Sequence, residues 1–227
     1  MDSCLIFRLT MSVLGAVASF FLGYFVLTRR GVNWIRGAFA MYCFSGGFFI
    51  LTRVLRTVIT AEQYETFGTF LVYFFGMGGV PIGIALFSRL LTHGTEETLN
   101  TKILPAIVVP PLVTAVIGIV LNPSEVITIS IGHVQVFEPT FQVLYVITTF
   151  GWMIYAALNV ALGARRISEE NIKKKMEDVR NGLFGIVITG FIAYGIATNA
   201  GWYDLMAVGD LVIVIFQVYI AYTYMKE

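Results

Sequence analysis

The stretch ARRISEENIKKKMEDVR, residues 164–180, decides the fold because it is a strongly polar run between two long apolar segments. It carries six of the fifteen basic residues of the chain. A soluble domain has about 25% charged residues, whereas this chain has 13% charged and 57% hydrophobic residues. So few charges cannot cover a surface in water, and the sequence predicts a protein whose solvent is largely lipid.

Apolar segments long enough to cross a bilayer occur seven times, since a membrane helix needs about 20 mainly apolar residues. The predicted spans cover residues 5–28, 34–54, 67–91, 103–121, 141–163, 183–200 and 205–224. We therefore predict an all-α integral membrane protein, a seven-transmembrane-helix bundle in which residues 1–227 form a single domain.

The basic residues are distributed unevenly between the two ends of these spans. Twelve lie in the first, third and fifth loops or at the C-terminus, and three, Arg8, Arg53 and Arg56, lie at the other end. Cytoplasmic loops carry the excess of lysine and arginine. This asymmetry predicts a multi-pass protein of the cell membrane with its N-terminus outside and its C-terminus in the cytoplasm.

The long outer loop, residues 122–140, alternates apolar and polar residues on both sides of Gly132 and His133. Period-two alternation around a turn containing glycine is typical of a β-hairpin. We predict a small hairpin with its turn at Gly132 and His133. Two roles stay open: the hairpin covers the outer mouth of the bundle, or it only satisfies its own backbone at the interface.

The polar run itself has the pattern of a helix that continues into the sixth span. Ser168 is a suitable N-cap residue, and Ile172, Met176, Val179 and Leu183 recur at helical spacing. We expect the sixth helix to begin near Ser168 and to project beyond the bilayer. Its basic residues are the candidates for contact with a partner: Arg165, Arg166, Lys173, Lys174, Lys175 and Arg180.

The third span contains the sequence GMGGVPIG, residues 76–83. Pro81 lacks a backbone donor and predicts a kink. Gly79 and Gly83 form a small-xxx-small pair, which predicts close packing against a neighbouring helix.

A polar cluster is predicted at the outer ends of the second, sixth and seventh spans. Its members are Arg53, Arg56, Asn199, Asp204 and Asp210. Asp210 lies eight residues after Trp202, about 12 Å further into the membrane at helical rise, and an ionisable residue at that depth needs a partner. We predict that Arg53 contacts Asp210, with Arg56 or Asp204 as the substitute. The cluster is a buried structural pair, a ligand or ion site, or a functionally silent aspartate.

Signatures of catalysis are lacking. The sequence has no HExxH, GxSxG, CxxC or phosphate-loop motif, and its two histidines fall on opposite sides of the predicted membrane. No lysine lies within a predicted span, so a retinal Schiff base is excluded. We therefore expect no enzyme, no catalytic residues, no metal and no cofactor, and the net charge of +1 gives no reason to expect nucleic acid.

Several short segments resemble the seven-span N-terminal sensor region of a class of histidine kinases. They are RRG (29–31), VPIGIALFSRLL (80–91), KILPAIVVPPL (102–112), GHVQVFEPTFQVLYV (132–146) and KKKMEDVRNGLFG (173–185). The resemblance implies a sensor module with its N-terminus outside, and it identifies no ligand residues. The sequence carries no kinase domain, so we expect the output to come from a separate partner.

The main functional hypothesis is therefore a stand-alone membrane sensor or receptor-like module. Two alternatives stay open: an accessory or structural subunit of a larger membrane complex, and a small integral-membrane lipid enzyme. The expected partners are the lipid bilayer, a cytoplasmic or membrane protein, and a second copy of the chain.

Overall fold

A computed structural model describes residues 3–29, 33–129, 132–197 and 200–225. Within these ranges lie seven helices that are long and apolar enough to cross a membrane, as the sequence predicts. They are α1 (Ser3–Thr28), α2 (Trp34–Val58), α3 (Ala61–Thr98), α4 (Ile103–Leu121), α5 (Pro139–Ala164), α6 (Glu170–Ile196) and α7 (Tyr203–Met225). Lipid offers no hydrogen-bond partner, so long apolar runs fold as helices that satisfy their own backbone.

Six of the helices form a closed ring in which neighbours in space pack along their length. The order around the ring is α1, α2, α3, α5, α6 and α7, and α7 returns to α1. Helix α4 packs from outside, mainly against the first half of α3. Most of α3 is therefore buried, whereas α1 and α4 expose most of their surface. The largest core cluster includes Phe39, Phe87, Val160, Leu183 and Ile220 from five of the ring helices.

Local sequence explains where several helices begin. Asn33 caps α2, accepting a hydrogen bond from the backbone N–H of Arg36 at 2.9 Å. Thr60 and Gln63 form a reciprocal capping box at the start of α3, so this helix begins six residues before the predicted span. These caps satisfy backbone donors that no helix can satisfy internally.

Helix α6 extends beyond its apolar segment, as predicted, but Ser168 is not its N-cap. The helix begins at Glu170, and the N-cap position belongs to Glu169, whose side chain makes no capping bond. The preceding residues are occupied by a turn that closes α5, in which the N–H of Arg166 donates to the carbonyl of Gly163 at 3.0 Å. That turn moves the start of α6 later by one to two residues.

Wide π-helical turns interrupt two of the helices. In α3 they cover Tyr64–Gly68 and Val72–Gly79, and in α6 one covers Phe191–Ile196. The second π turn of α3 ends just before Pro81, so the irregularity that proline predicts takes the form of a wide turn. Helix α3 also breaks at Gly94, whose φ of 75° is in the left-handed region that favours glycine.

Gly79 and Gly83 lie against α2, in agreement with the predicted close packing. A Cβ on Gly83 would lie 2.7 Å from the backbone nitrogen of Tyr42 and 2.8 Å from its Cα. A Cβ on Gly79 would lie 2.8 Å from the Cβ of Ser45. The two helices therefore approach closely enough that only glycine fits at the contact.

Two short strands lie between α4 and α5. Strand β1 (Ser124–Ile129) pairs antiparallel with β2 (Gly132–Phe137), from Ser124 opposite Phe137 to Ile129 opposite Gly132. Gly132 and His133 therefore belong to β2, and the predicted turn at these residues is wrong. His133 is held in the strand because its Nε2 donates to the carbonyl of Ile59 at 3.0 Å, while its Nδ1 lies 3.0 Å from the Thr128 hydroxyl. The end of the bundle beside these strands is called the strand end below, and the opposite end, beside residues 165–180, the basic end.

Candidate functional site

A buried polar cluster joins α2, α6 and α7 in the half of the bundle nearer the strand end. The Nε of Arg53 lies 3.7 Å from Oδ2 of Asp210, and the Asp210 side chain is fully buried. The hydroxyl of Tyr194 donates a hydrogen bond to Oδ1 of the same carboxylate. The contact between Arg53 and Asp210 that the sequence predicts is therefore present, and Tyr194 adds a third helix to it.

Aromatic rings enclose the charge of Arg53. Its guanidinium carbon lies 4.9 Å from the ring centre of Tyr194 and 5.5 Å from that of Phe49. Its Nη1 lies 3.8 Å from the sulfur of Met206. A guanidinium accepts such ring contacts because the ring faces are electron-rich, and they hold it in place without a second carboxylate.

The ion pair itself is electrostatic and lacks a direct hydrogen bond. Neither the Nε of Arg53 nor Oδ2 of Asp210 has a hydrogen-bond partner, and their separation of 3.7 Å is beyond hydrogen-bond distance. Arginine does not give up its proton in proteins. The arrangement therefore holds a permanent positive charge beside a carboxylate that retains an unused acceptor oxygen.

The other predicted members of the cluster are separated by the structure. Asp204 pairs with Arg8 of α1 and is half-exposed, so it does not substitute in the buried pair. Arg56 is buried one turn after Arg53, and its Nε lacks a hydrogen-bond partner. Asn199 lies outside the described residues.

Sequence reasoning missed Arg8 and Tyr194 as partners. Arg8 had a signal, because it is the single charged residue within the first predicted span and must find an anion or the interface. Tyr194 had no such signal in the sequence. The direction of its side chain depends on the π turn Phe191–Ile196, and no residue pattern predicts that turn.

A small internal cavity of about 40 Å³ lies beside the cluster and is bounded mainly by apolar side chains. Tyr194, Gln217 and Thr149 are among the residues that line it. The Thr149 hydroxyl has no hydrogen-bond partner. A cavity of this volume has room for a few water molecules.

A second buried polar contact lies deeper in the bundle. The Ser19 hydroxyl of α1 lies 2.8 Å from the carbonyl oxygen of Cys43 in α2 and 3.0 Å from Oε1 of Gln217 in α7. Gln217 is almost completely buried. This contact joins α1 and α7 through side chains and reaches α2 through a backbone carbonyl, and Gln217 also lines the cavity.

The predicted partner-contact residues lie at the basic end, on the turn after α5 and the first turns of α6. Arg165, Arg166, Lys173 and Lys174 are exposed, and Lys175 and Arg180 are partly buried. Arg180 donates to the side-chain oxygen of Asn181 at 2.9 Å. Beneath them Met176, Val179 and Leu183 are buried in the core, so the exposed charges sit on a helix that the bundle holds firmly.

Among the described residues, no group of three or more histidine, cysteine or acidic side chains could hold a metal ion. The buried cluster contains one carboxylate and one arginine, whose charges balance each other. Comparison of the sequence with known proteins finds no matching family model and no similar curated protein.

Proposed function

We propose that this protein is a membrane sensor or receptor-like module that acts through a separate partner. One observation carries the proposal: α6 bears Tyr194 in the buried cluster near one end and exposed lysines at the other. Tyr194 contacts Asp210 of α7 and the Arg53 side chain of α2. A change at the cluster therefore acts on α6, the same helix that exposes Lys173 and Lys174.

The orientation that this function requires is part of the proposal. With twelve of fifteen basic residues at one end, the positive-inside rule supports a cytoplasmic basic end in the cell membrane and an outer strand end. The strands then cover the outer mouth of the bundle, where Gly132 packs against the last turn of α2. A cysteine variant at the C-terminus, Glu227→Cys, in a background where the exposed Cys4 is replaced by serine, tests the orientation, because labelling of this variant in sealed cells by an impermeant thiol reagent would reject it.

The mechanism is a shift between two arrangements of α6. The Tyr194 hydroxyl is held by a carboxylate that also faces Arg53, so any ligand or proton that competes for Asp210 weakens the hold on α6. A ligand shifts a conformational equilibrium only by its differential affinity for the two states. The cluster supplies that difference, because its bonds are made in one arrangement of α6 and broken in the other.

The test measures coupling between the cluster and the basic end in the purified chain. A spin label is attached to Lys174→Cys, in a background where the exposed Cys4 is replaced by serine, and its mobility is compared with and without Tyr194→Phe. We expect the substitution to change the mobility at residue 174. A matched label at Asn100→Cys, in the turn between α3 and α4, should not respond.

An unchanged label at residue 174 in the folded Tyr194→Phe variant would reject the sensor mechanism. An equal response at residue 100 would also reject it, because it would indicate general loosening of the bundle rather than transmission through α6.

A specific surface favours the second function, an accessory subunit of a larger membrane complex. Val17, Phe21 and Tyr24 form an exposed row on α1, each with about three-fifths or more of its surface open. In a membrane such a row faces lipid or a neighbouring helix, and an accessory subunit would use it for contact with its complex. Co-purification of one protein at fixed stoichiometry, lost in Phe21→Ala, would favour this function over the sensor. A lipid enzyme has less support, because Asp210, the deepest carboxylate, is already engaged by Arg53 and Tyr194.

A further inference from the structure

An open pocket of about 360 Å³ lies between α3 and α4 at the strand end. Its walls include Glu65, Phe70 and Tyr73 of α3, and Ile119 and Asn122 at the end of α4. This volume falls in the range of pockets that hold small molecules or the polar part of larger ones. The pocket shares no lining residue with the internal cavity beside the buried cluster, so it is a separate candidate site.

Several polar side chains of the pocket offer oxygen atoms that accept hydrogen bonds. The hydroxyl of Thr66, which lines the pocket, donates to the carbonyl of Glu62 at 3.2 Å. The hydroxyl of Thr69, a further lining residue, donates to the carbonyl of Glu65. Because both hydroxyl protons are used within the helix, the lone pairs that remain are acceptors.

The charge of the pocket is negative. The Glu65 side chain is exposed, and in the part of the chain that the structure describes no ion pair includes its carboxylate. None of the described residues that line the pocket is basic. One carboxylate beside acceptor oxygens suits an occupant that is a cation and a hydrogen-bond donor.

The position of the pocket along the helices is that of the lipid headgroups. Helix α4 has 19 residues, about 28 Å at helical rise, which is close to the thickness of the hydrocarbon core. Asn122 directly follows its last residue, and Glu65 comes two residues before the predicted span 67–91. The polar residues of the pocket therefore lie where the hydrocarbon ends.

Exposed apolar side chains continue from the pocket toward the middle of the membrane. On α3 the ring of Phe74 stacks on that of Phe70, with 5.5 Å between their centres, and both are exposed. On α4 the exposed Val116 and Leu112 lie about one and two turns before Ile119. An occupant with acyl chains would therefore find apolar surface on both helices below its headgroup.

We propose that this pocket binds a phospholipid with a primary ammonium headgroup, phosphatidylethanolamine, whose acyl chains lie along α3 and α4. A primary ammonium has three N–H donors and no acceptor, which complements the Glu65 carboxylate and the hydroxyl oxygens of Thr66 and Thr69. The trimethylammonium group of phosphatidylcholine keeps the charge but has no N–H to donate. The proposal is independent of the sensor function. Helix α4 lies outside the ring and packs mainly against α3, so a lipid bound to both helices would hold α4 to the bundle.

The experiment is native mass spectrometry of the purified, delipidated chain in detergent. It is titrated with phosphatidylethanolamine or with phosphatidylcholine that has the same acyl chains. We expect one phosphatidylethanolamine to bind roughly three- to tenfold more tightly than phosphatidylcholine, the gain expected of charge-assisted hydrogen bonds at a partly solvated site. Glu65→Gln should reduce the affinity for phosphatidylethanolamine to about that for phosphatidylcholine. The matched control is Glu62→Gln, which removes the same charge from an exposed side chain of α3 that does not line the pocket and should keep the preference.

Thermal unfolding in the same detergent adds an independent result. Without lipid, Glu65→Gln should unfold at the temperature of the wild type, because the side chain is exposed and has no ion pair. Phosphatidylethanolamine should raise the unfolding temperature of the wild type more than phosphatidylcholine does. Thr66→Lys, which adds an ammonium group to the pocket from an exposed position, should remove this difference between the two lipids.

The proposal is overturned if the wild type binds the two lipids equally well, or if Glu65→Gln or Thr66→Lys keeps the preference. An equal loss in Glu62→Gln would also overturn it, because the preference would then reflect the general charge of this end of α3 and not the pocket. Glycerophosphoethanolamine has the same headgroup without acyl chains. If it displaced the lipid at equal concentration, the site would belong to a soluble amine and the lipid assignment would be wrong.

Discussion

Substitution of Asp210 by asparagine should destabilise the protein strongly, because it leaves Arg53 buried beside a neutral side chain. Two unit charges separated by 3.7 Å attract each other by about 4 kcal/mol at the effective dielectric constant of about 20 that suits protein sites. Removal of one partner from a buried pair costs roughly 3–5 kcal/mol. Asparagine keeps an oxygen that can accept from Tyr194, so this loss belongs mainly to the charge.

The assay is unfolding in mixed detergent micelles, with a double-substitution cycle. Asp210→Asn and Arg53→Met should each lower the free energy of unfolding by about 3–5 kcal/mol, and the double variant by clearly less than the sum, because the second change removes a charge that the first left unpaired. Asp204→Asn is the matched control. It removes a half-exposed carboxylate from the pair with Arg8, for which a smaller loss, of about 0–1 kcal/mol, is expected.

Additive losses, or losses no larger than that of the Asp204 control, would refute the reasoning. Additivity would mean that the two side chains do not interact, and small losses would mean that water reaches the pair. Asp210→Asn could also keep its stability while Tyr194→Phe no longer changes the mobility of the label at residue 174 in that background. This result would place the pair in signal transmission and not in stability.

Gly83→Ala should lower the free energy of unfolding by about 1–3 kcal/mol, because its Cβ would press on the backbone of Tyr42, whereas Gly37→Ala, with no atom within 4 Å of the added Cβ, should be neutral or stabilising. Equal effects of these two variants on unfolding would contradict the proposed close contact. Tyr194→Phe should cost about 1.5–3 kcal/mol, the worth of a hydrogen bond to a charged group, and a neutral result in the same assay would show that this bond is not formed. Thr149→Val should cause no loss, since the hydroxyl has no partner, and a loss above about 1 kcal/mol would indicate a water that bonds to it.

The sequence predicts the helices well because each helix is one continuous apolar run along the chain. Apolar length identifies a span regardless of what surrounds it, so all seven helices and the projecting start of α6 are found. Their ends are less certain, since they depend on local bonds: the cap of α3 at Thr60 and the turn after α5 are decided by side chains and carbonyls that come together only in the structure.

The candidate site was predictable only in part. Arg53 and Asp210 could be paired because each is costly in lipid and both fall near the same membrane depth. The contact of Tyr194 with Asp210 could not be predicted, because the sequence does not indicate towards which neighbouring helix a tyrosine side chain in an apolar span points. Asp204 was assigned to the wrong partner for a related reason: nothing in the sequence indicates that α1 returns beside α7, which brings Arg8 to it.

The wide turn Phe191–Ile196 gives α6 a residue more than a regular helix would hold over the same length. One residue of an α-helix corresponds to a rotation of about 100° and a rise of about 1.5 Å. Tightening this turn to regular geometry would therefore turn the part of α6 on one side of it by roughly a quarter of a circle against the other part. If the cluster stays in place, the lysines at the far end of the helix face a different direction, and if the lysines stay in place, the Tyr194 hydroxyl leaves Asp210. The helix thus cannot keep both ends in their present orientation once the turn closes.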